Sequence, residues 1–272
     1  MDSQVWSWSA QPYAYWLLRF NATPLALIVE WIVRGREAQV RVGVQSVHRP
    51  RVWHRKGAVT ASPEMWVRVG DMALGPSRTF GGVEGLAWDM HITPLRDFLS
   101  FASGQLLGLA SFPAVRFEGS LTFRGEQWQG TALGSIAHMW GWRSPRRWFW
   151  CNAASFSVAD TFVETWLLDY PLPLPWPRME VGYFWARVEG KEYLFRHPLR
   201  ARITVDGLAN APRVRATPWH GEGHLLICRS HPKTWQKPEP RLINTLTADA
   251  RFLGGPDCFG QAALAWREPP VY

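Results

Sequence analysis

At 272 residues the chain has room for one large domain or two of about 135 residues each. With 47% hydrophobic and 19% charged residues it is globular, which excludes a disordered chain, a collagen-like repeat and a coiled coil. The net charge of +8 permits contact with nucleic acid or an anionic membrane surface, but the excess is spread over both halves without a basic run.

Most of the chain alternates in steps of two, in segments of 6 to 12 residues divided by Gly, Pro or polar turns. Val40, Val42 and Val44 alternate with Gln39, Arg41 and Gln45. Trp66–Val69 follows, and then Leu86, Trp88, Met90 and Ile92 share one face of a half-buried strand. Leu95 to Leu107 has roughly helical apolar spacing, although Gly104 and Gly108 oppose a helix. Pro94 to Pro113 reads as a connection, so a division near residue 126 is expected, giving domains 1–126 and 127–272. Further strands are expected at Val115–Arg124, Gln127–Ala132, Trp148–Asn152, Phe156–Tyr170, Val181–Val188, Arg200–Asp206, His224–Arg229, Leu242–Phe252 and Gln261–Trp266. Between them, 171–177 (PLPLPWP) reads as a stiff extended connection. So many short strands favour barrels or sandwiches.

Eighteen tryptophans are the unusual part of the composition, and four of them lie in the densest stretch, GSIAHMWGWRSPRRWFWCNAASF at 134–156. Taken as a strand, His138, Trp140 and Trp142 share a face, and after the Ser144–Pro145 turn Trp148, Trp150 and Asn152 share one again. A hairpin of that kind brings His138 beside several indole rings. The strand expected next places Phe156, Val158, Asp160, Phe162, Glu164, Trp166, Leu168 and Tyr170 on one face. Carboxyl groups in such apolar surroundings must either pair or take a raised pKa, which makes Asp160 and Glu164 candidate acids. Pairing with Arg143, Arg146 or Arg147 is the alternative.

The spacing Gly134-x-x-x-His138-x-Trp140-Gly141, then Trp148-x-Trp150-Cys151-Asn152-x-x-x-Phe156, resembles the motif at the junction of two barrels in a known superfamily. It is that of carotenoid hydratases (hydroxyneurosporene synthase), tocopherol cyclases and related lipocalin-like proteins. Gly85-x-x-Trp88-Asp89-Met90 and Phe117-x-Gly119 followed by Gly125-Glu126 are similar to two further strands of it. About 80 residues carry the likeness. It implies an all-β fold of two tandem lipocalin-like antiparallel barrels and, in the enzyme members, acid-initiated chemistry on long isoprenoids. In that scheme His138 positions or relays a proton, with Glu164 or Asp160, favoured by the strand pattern, as its acidic partner; Asp169 lies at a suitable distance but on the other face unless a bulge intervenes. Trp140, Trp148 and Trp150, joined by Trp88 and Trp166, would line the ligand and stabilise a carbocation.

Other chemistry has little in its favour. His220, Glu222, His224, Cys228 and His231 have metal-like types, but the order H-G-E-G-H is not a helical zinc motif, and no metal is expected. Neither a dinucleotide fingerprint, nor a P-loop, nor a serine-hydrolase elbow is present, so no cofactor is expected. Only four Lys stand among the 30 basic residues and no RNA-binding signature occurs, which speaks against nucleic acid. Cys151, Cys228 and Cys258 are too few and too far apart for a disulfide framework. With no basic, apolar leader at the start, a cytoplasmic protein is expected, its charge leaving peripheral contact with an anionic membrane open. Two readings stand: a hydratase-, cyclase- or isomerase-like enzyme acting on an isoprenoid or fatty-acyl-like ligand, and a non-catalytic carrier of such a ligand.

Overall fold

The computed structural model describes residues 12–22, 25–45, 50–102, 107–170, 179–207, 211–220, 223–229, 236–239, 242–253 and 258–267. The proline-rich 171–177 segment, Glu222 and His231 lie outside the described residues. The chain divides into two units, Met1–Ser144 and Pro145–Tyr272, and every element among the described residues is a strand.

Among the described residues the first unit has twelve strands: β1 (Tyr13–Ala22), β2 (Leu25–Arg34), β3 (Glu37–Gln45), β4 (Pro50–Ala58), β5 (Thr60–Ser62), β6 (Met65–Val69), β7 (Met72–Leu74), β8 (Arg78–Val83), β9 (Leu86–Pro94), β10 (Leu99–Ala102), β11 (Leu107–Phe123) and β12 (Glu126–Gly141). They form one antiparallel sheet in the order β4-β3-β2-β1-β12-β11-β9-β8-β7-β6-β5, with β10 beside β11. The sheet curls into a nearly closed barrel. Alternation explains the strands: β9 buries Leu86, Trp88, Met90 and Ile92 and exposes Ala87, Asp89 and His91. β1 is different, being buried at every position from Tyr13 to Ala22, so no alternation marks it in the sequence.

Among the described residues the second unit has ten strands: β13 (Arg147–Ala154), β14 (Phe162–Tyr170), β15 (Met179–Val188), β16 (Lys191–His197), β17 (Ala201–Asp206), β18 (Arg213–Pro218), β19 (His224–Arg229), β20 (Gln236–Glu239), β21 (Leu242–Leu253) and β22 (Cys258–Arg267). Their order is β16-β15-β14-β13-β22-β21-β19-β18-β17, with β20 beside β21, and this sheet too is a nearly closed barrel. Its buried core mixes large side chains such as Phe149, Phe184, Leu226 and Phe252 with small ones such as Cys151, Ala153, Ala186 and Cys228.

Three expectations are corrected. The division falls after Ser144 rather than at 126, because β11 and β12 form one long hairpin whose turn is at Arg124–Gly125. Cutting at 126 would sever β12 from both its partners, β11 and β1. Within the expected helix Leu95–Leu107, the described residues 95–102 and 107 are not helical, and Leu99–Ala102 pairs as a strand with Gly108–Ser111; 103–106 lie outside the described residues. The strand expected from Phe156 begins only at Phe162, because Ser157–Asp160 turns and Asp160 takes a positive φ of 53°.

Candidate functional site

His138 lies in β12, directly opposite Trp16 of β1 and Ala110 of β11. It shares the inward face with Ile136, and the tier continues from Trp16 to Trp31 of β2 and Val40 of β3. The imidazole is sandwiched: its centroid is 4.2 Å from that of Trp16 at 17° and 4.9 Å from that of Trp140 at 20°. His138 is 2% exposed and Trp16 fully buried, whereas Trp140 is half-buried, so the ring stack climbs toward the barrel end. Trp31 brings a buried indole N–H that has no hydrogen-bond partner among the described residues.

Two glycines make the tier possible. A Cβ on Gly134 would meet the Arg19 carbonyl oxygen at 1.8 Å, so β12 approaches β1 closely only because that residue lacks a side chain. A Cβ on Gly108 would fall 2.0 Å from the Trp140 ring, which lies over that gap.

His138 Nδ1 lies 3.2 Å from the Tyr15 carbonyl oxygen. A carbonyl only accepts, so Nδ1 carries the proton and the basic lone pair is at Nε2. Burial pushes the imidazole down from 6.5 to about 3, against the smaller upward pull of the Tyr15 carbonyl. At neutral pH the group is an oriented, uncharged base, and the protonated form is rare.

The other expected residues are distributed as follows. Trp88 faces the first barrel's interior and donates to Thr79 Oγ1 at 3.2 Å. Trp148, Trp150, Glu164 and Trp166 belong to β13 and β14 of the second barrel, so the hairpin expected to join them to His138 is not formed. Phe149, Cys151, Ala153 and Val163 fill that barrel's core, and alternation turns Trp148, Trp150, Glu164 and Trp166 to its outer face. There they form their own buried cluster: Trp166 lies 6.2 Å from Trp148 and 6.0 Å from Trp150. Glu164 Oε1 accepts from Trp150 Nε1 at 3.3 Å and Oε2 from the Tyr183 hydroxyl at 2.5 Å. Asp160 is not part of it: it is exposed on the turn before β14 and pairs with Arg187 at 2.7 Å. Trp142 lies beyond β12, 46% exposed under the Arg143 guanidinium.

A polar trio that sequence reasoning missed lies on the outer face of the first barrel. The Tyr15 hydroxyl donates to Glu30 Oε1 at 2.6 Å, and Arg41 Nε reaches Oε2 at 2.8 Å, all three buried. Burial, followed by the Glu30 charge, holds the Tyr15 phenol well above its ordinary value of 10.0. The signal was present in Glu30 within the apolar run LALIVEWIV and in Arg41 between two valines. No group of three or more His, Cys, Asp or Glu among the described residues could hold a metal ion. Nor is any helix there long and apolar enough to cross a membrane.

No family model matches the sequence, and no curated protein does. Solved structures do match. Kievitone hydratase from Nectria haematococca superposes with a TM-score of 0.66 at 12% identity, over 98% of this chain and 91% of that one. An AttH candidate from Nitrosomonas europaea gives 0.64 at 12% identity, over 94% and 92%. CghA with Sch210972 gives 0.56 at 13% identity, over 95% and 89%. At such identities the likeness speaks for the fold alone: the chain folds as two tandem lipocalin-like antiparallel barrels.

Proposed function

We propose that the protein binds an isoprenoid or fatty-acyl-like molecule against the aromatic tier of the first barrel and hydrates, cyclises or isomerises it by proton transfer. The observation that carries this reading is the neutral imidazole of His138, oriented by the Tyr15 carbonyl and stacked between two indole rings. Nε2 accepts a proton from the carbon beside the ligand's double bond, or from water as its oxygen adds to that bond, and the imidazolium so formed returns the proton to the other carbon of the bond. The faces of Trp16 and Trp140 stabilise the positive charge that develops between those events. Trp31 offers its indole N–H to a polar group of the ligand. That a hydratase shares the double-barrel fold supports the reaction class.

A second reading is favoured by Glu164, a buried carboxyl that accepts from the Trp150 indole and from the Tyr183 hydroxyl beside Trp148 and Trp166. In it Glu164 is the proton donor, and Trp148, Trp150 and Trp166 face the cation.

The test is to purify the protein from cells, identify retained lipids by mass spectrometry and incubate each with the protein. His138→Asn should abolish turnover while leaving retention intact, with Glu164→Gln near wild type. The reverse pattern would establish the second reading. Retention of nothing apolar, with tryptophan fluorescence unchanged on adding isoprenoids, would overturn both.

A further inference from the structure

Of the large apolar side chains among the described residues, Leu199 and Trp219 are the most exposed, at 69% and 58%. Leu199 lies in the turn from β16 to β17, and Trp219 follows the end of β18. The Trp219 N–H donates to the Arg200 carbonyl at 3.2 Å, one step beyond the Ala201–Pro218 pair, so Leu199 and Trp219 stand on adjoining backbone. Trp142 and Phe259 are exposed too, but each lies beneath a guanidinium, that of Arg143 or Arg251. Trp219 has no such cover among the described residues.

Arginines continue from this tip along one face. Alternation in the β17–β18 hairpin turns Ile203, Val214 and Ala216 into the core and leaves Arg202, Arg213 and Arg215 exposed on the outside with Asp206. Arg200 extends that outer row beside Trp219. None of these four arginines is in an ion pair among the described residues. A single exposed apolar side chain needs no explanation. A bare indole and a leucine at one tip, followed by unpaired arginines on the same face, combine the two parts of an interfacial anchor: apolar groups for the acyl boundary and cations for anionic headgroups. An indole suits that level, because its ring is apolar while its N–H keeps a polar partner. Nucleic acid would engage the arginines but leave Leu199 in water. A stable protein interface covers about 800 Å² on each side, of which two side chains supply a small part. We infer that this tip docks on an anionic lipid bilayer, with Leu199 and Trp219 entering the acyl boundary and Arg200 and Arg202 among the headgroups. The inference rests on this surface alone and is independent of the chemistry at His138 or Glu164.

The arginines should not count equally. At about 3.3 Å per residue the hairpin sets Arg202 roughly 7 Å from the Trp219 row and Arg213 roughly 20 Å, against a screening length of about 8 Å in physiological salt. The experiment sediments the full-length protein at that salt with vesicles of equal parts phosphatidylcholine and phosphatidylglycerol, and with vesicles of phosphatidylcholine alone. Wild type should bind the anionic vesicles more tightly by on the order of tenfold or more. Arg200→Gln and Arg202→Gln should each weaken that binding about fivefold, the worth of one cation at an anionic surface, and Arg213→Gln by less than about twofold. Leu199→Ser combined with Trp219→Ser should weaken binding to both compositions by on the order of tenfold or more. Bromine-labelled acyl chains should quench part of the wild-type tryptophan emission, and that part should be missing in Trp219→Phe. Equal binding to the two compositions, an Arg213→Gln loss as large as that of Arg200→Gln, or quenching that survives in Trp219→Phe would each overturn the proposal. So would a uridine oligonucleotide being held when no vesicle is. All the substituted side chains are exposed, so urea midpoints should stay at the wild-type value, and the wild-type preference between vesicles decides the matter even where a variant fails to fold.

Discussion

Glu30 and Glu164 occupy equivalent positions in their two barrels. β1 and β13 each pair with the last strand of their own unit, and Glu30 and Glu164 lie on the strand that follows, β2 and β14. Each accepts a hydrogen bond from the strand before it, Tyr15 in one barrel and Trp150 in the other. Each accepts another from the strand after it, where the donors differ: Arg41, a cation, for Glu30 and Tyr183, a phenol, for Glu164.

That difference predicts unequal responses to substitution. Arg41→Met strands a buried carboxylate and should destabilise the protein by about 3 to 5 kcal/mol in urea denaturation. Glu30→Gln combined with Arg41→Met should recover most of that loss, since the buried charge is gone. Glu164→Gln keeps an oxygen able to accept one of the two donors and should cost only about 1 to 2 kcal/mol.

His138 predicts how stability depends on acid. Its folded-state pKa of about 3 lies below the unfolded value of 6.5, so between those limits the unfolded chain binds the extra proton. The contribution is fully present above about pH 6.5 and is lost as the pH falls toward 3. Over that window His138→Asn should show a stability slope shallower than wild type by about 1.4 kcal/mol per pH unit, measured by denaturation at fixed pH values.

Gly108 predicts a paired effect on Trp140. Gly108→Ala places a methyl where the indole lies and should cost about 1 to 3 kcal/mol while shifting tryptophan emission to the red as the ring is pushed outward. Adding Trp140→Phe, a smaller ring, should restore most of the stability. A Gly108→Ala protein with unchanged emission would show that the ring does not rest there.

Asp89 is expected to matter little despite its place in the motif-like Trp88-Asp89-Met90. It points outward and binds the Arg78 guanidinium through both oxygens at 2.8 and 2.6 Å, with about half of each side chain in solvent. The Arg78 hydrogen bonds hold its carboxyl below the usual value. Asp89→Asn should change stability by less than about 1 kcal/mol, the more so in high salt, and leave turnover unaffected.

Alternation made β3 and β9 legible in the sequence, because each sets apolar residues on its core face and polar ones on the other, although in β3 Arg41 and Gln45 are buried there as well. It could not reveal β1, whose residues are buried on both faces, and so Trp16, the partner of His138, went unread. A period of two tells which residues share a face but not which face turns inward, and in β13 both are apolar. Trp148, Trp150 and Glu164 share the face of β13 and β14 that lies away from the barrel core, and nothing in the alternation marks that face as the outer one. His138 and Trp140 were placed together correctly, since they are neighbours on one face of one strand. Asp160 was misplaced because a turn residue at positive φ breaks the parity on which its assignment depended.

Gly134 has a consequence beyond its own position. The distance between β1 and β12 is limited by the missing side chain there, and that distance carries the 4.2 Å separation between the Trp16 and His138 rings four residues along β12. Adapting the first barrel to a new ligand by exchanging the residues that line it is thus constrained by one that lines nothing. Any redesign has room to vary the rings, but it inherits the gap between two backbones as a fixed dimension.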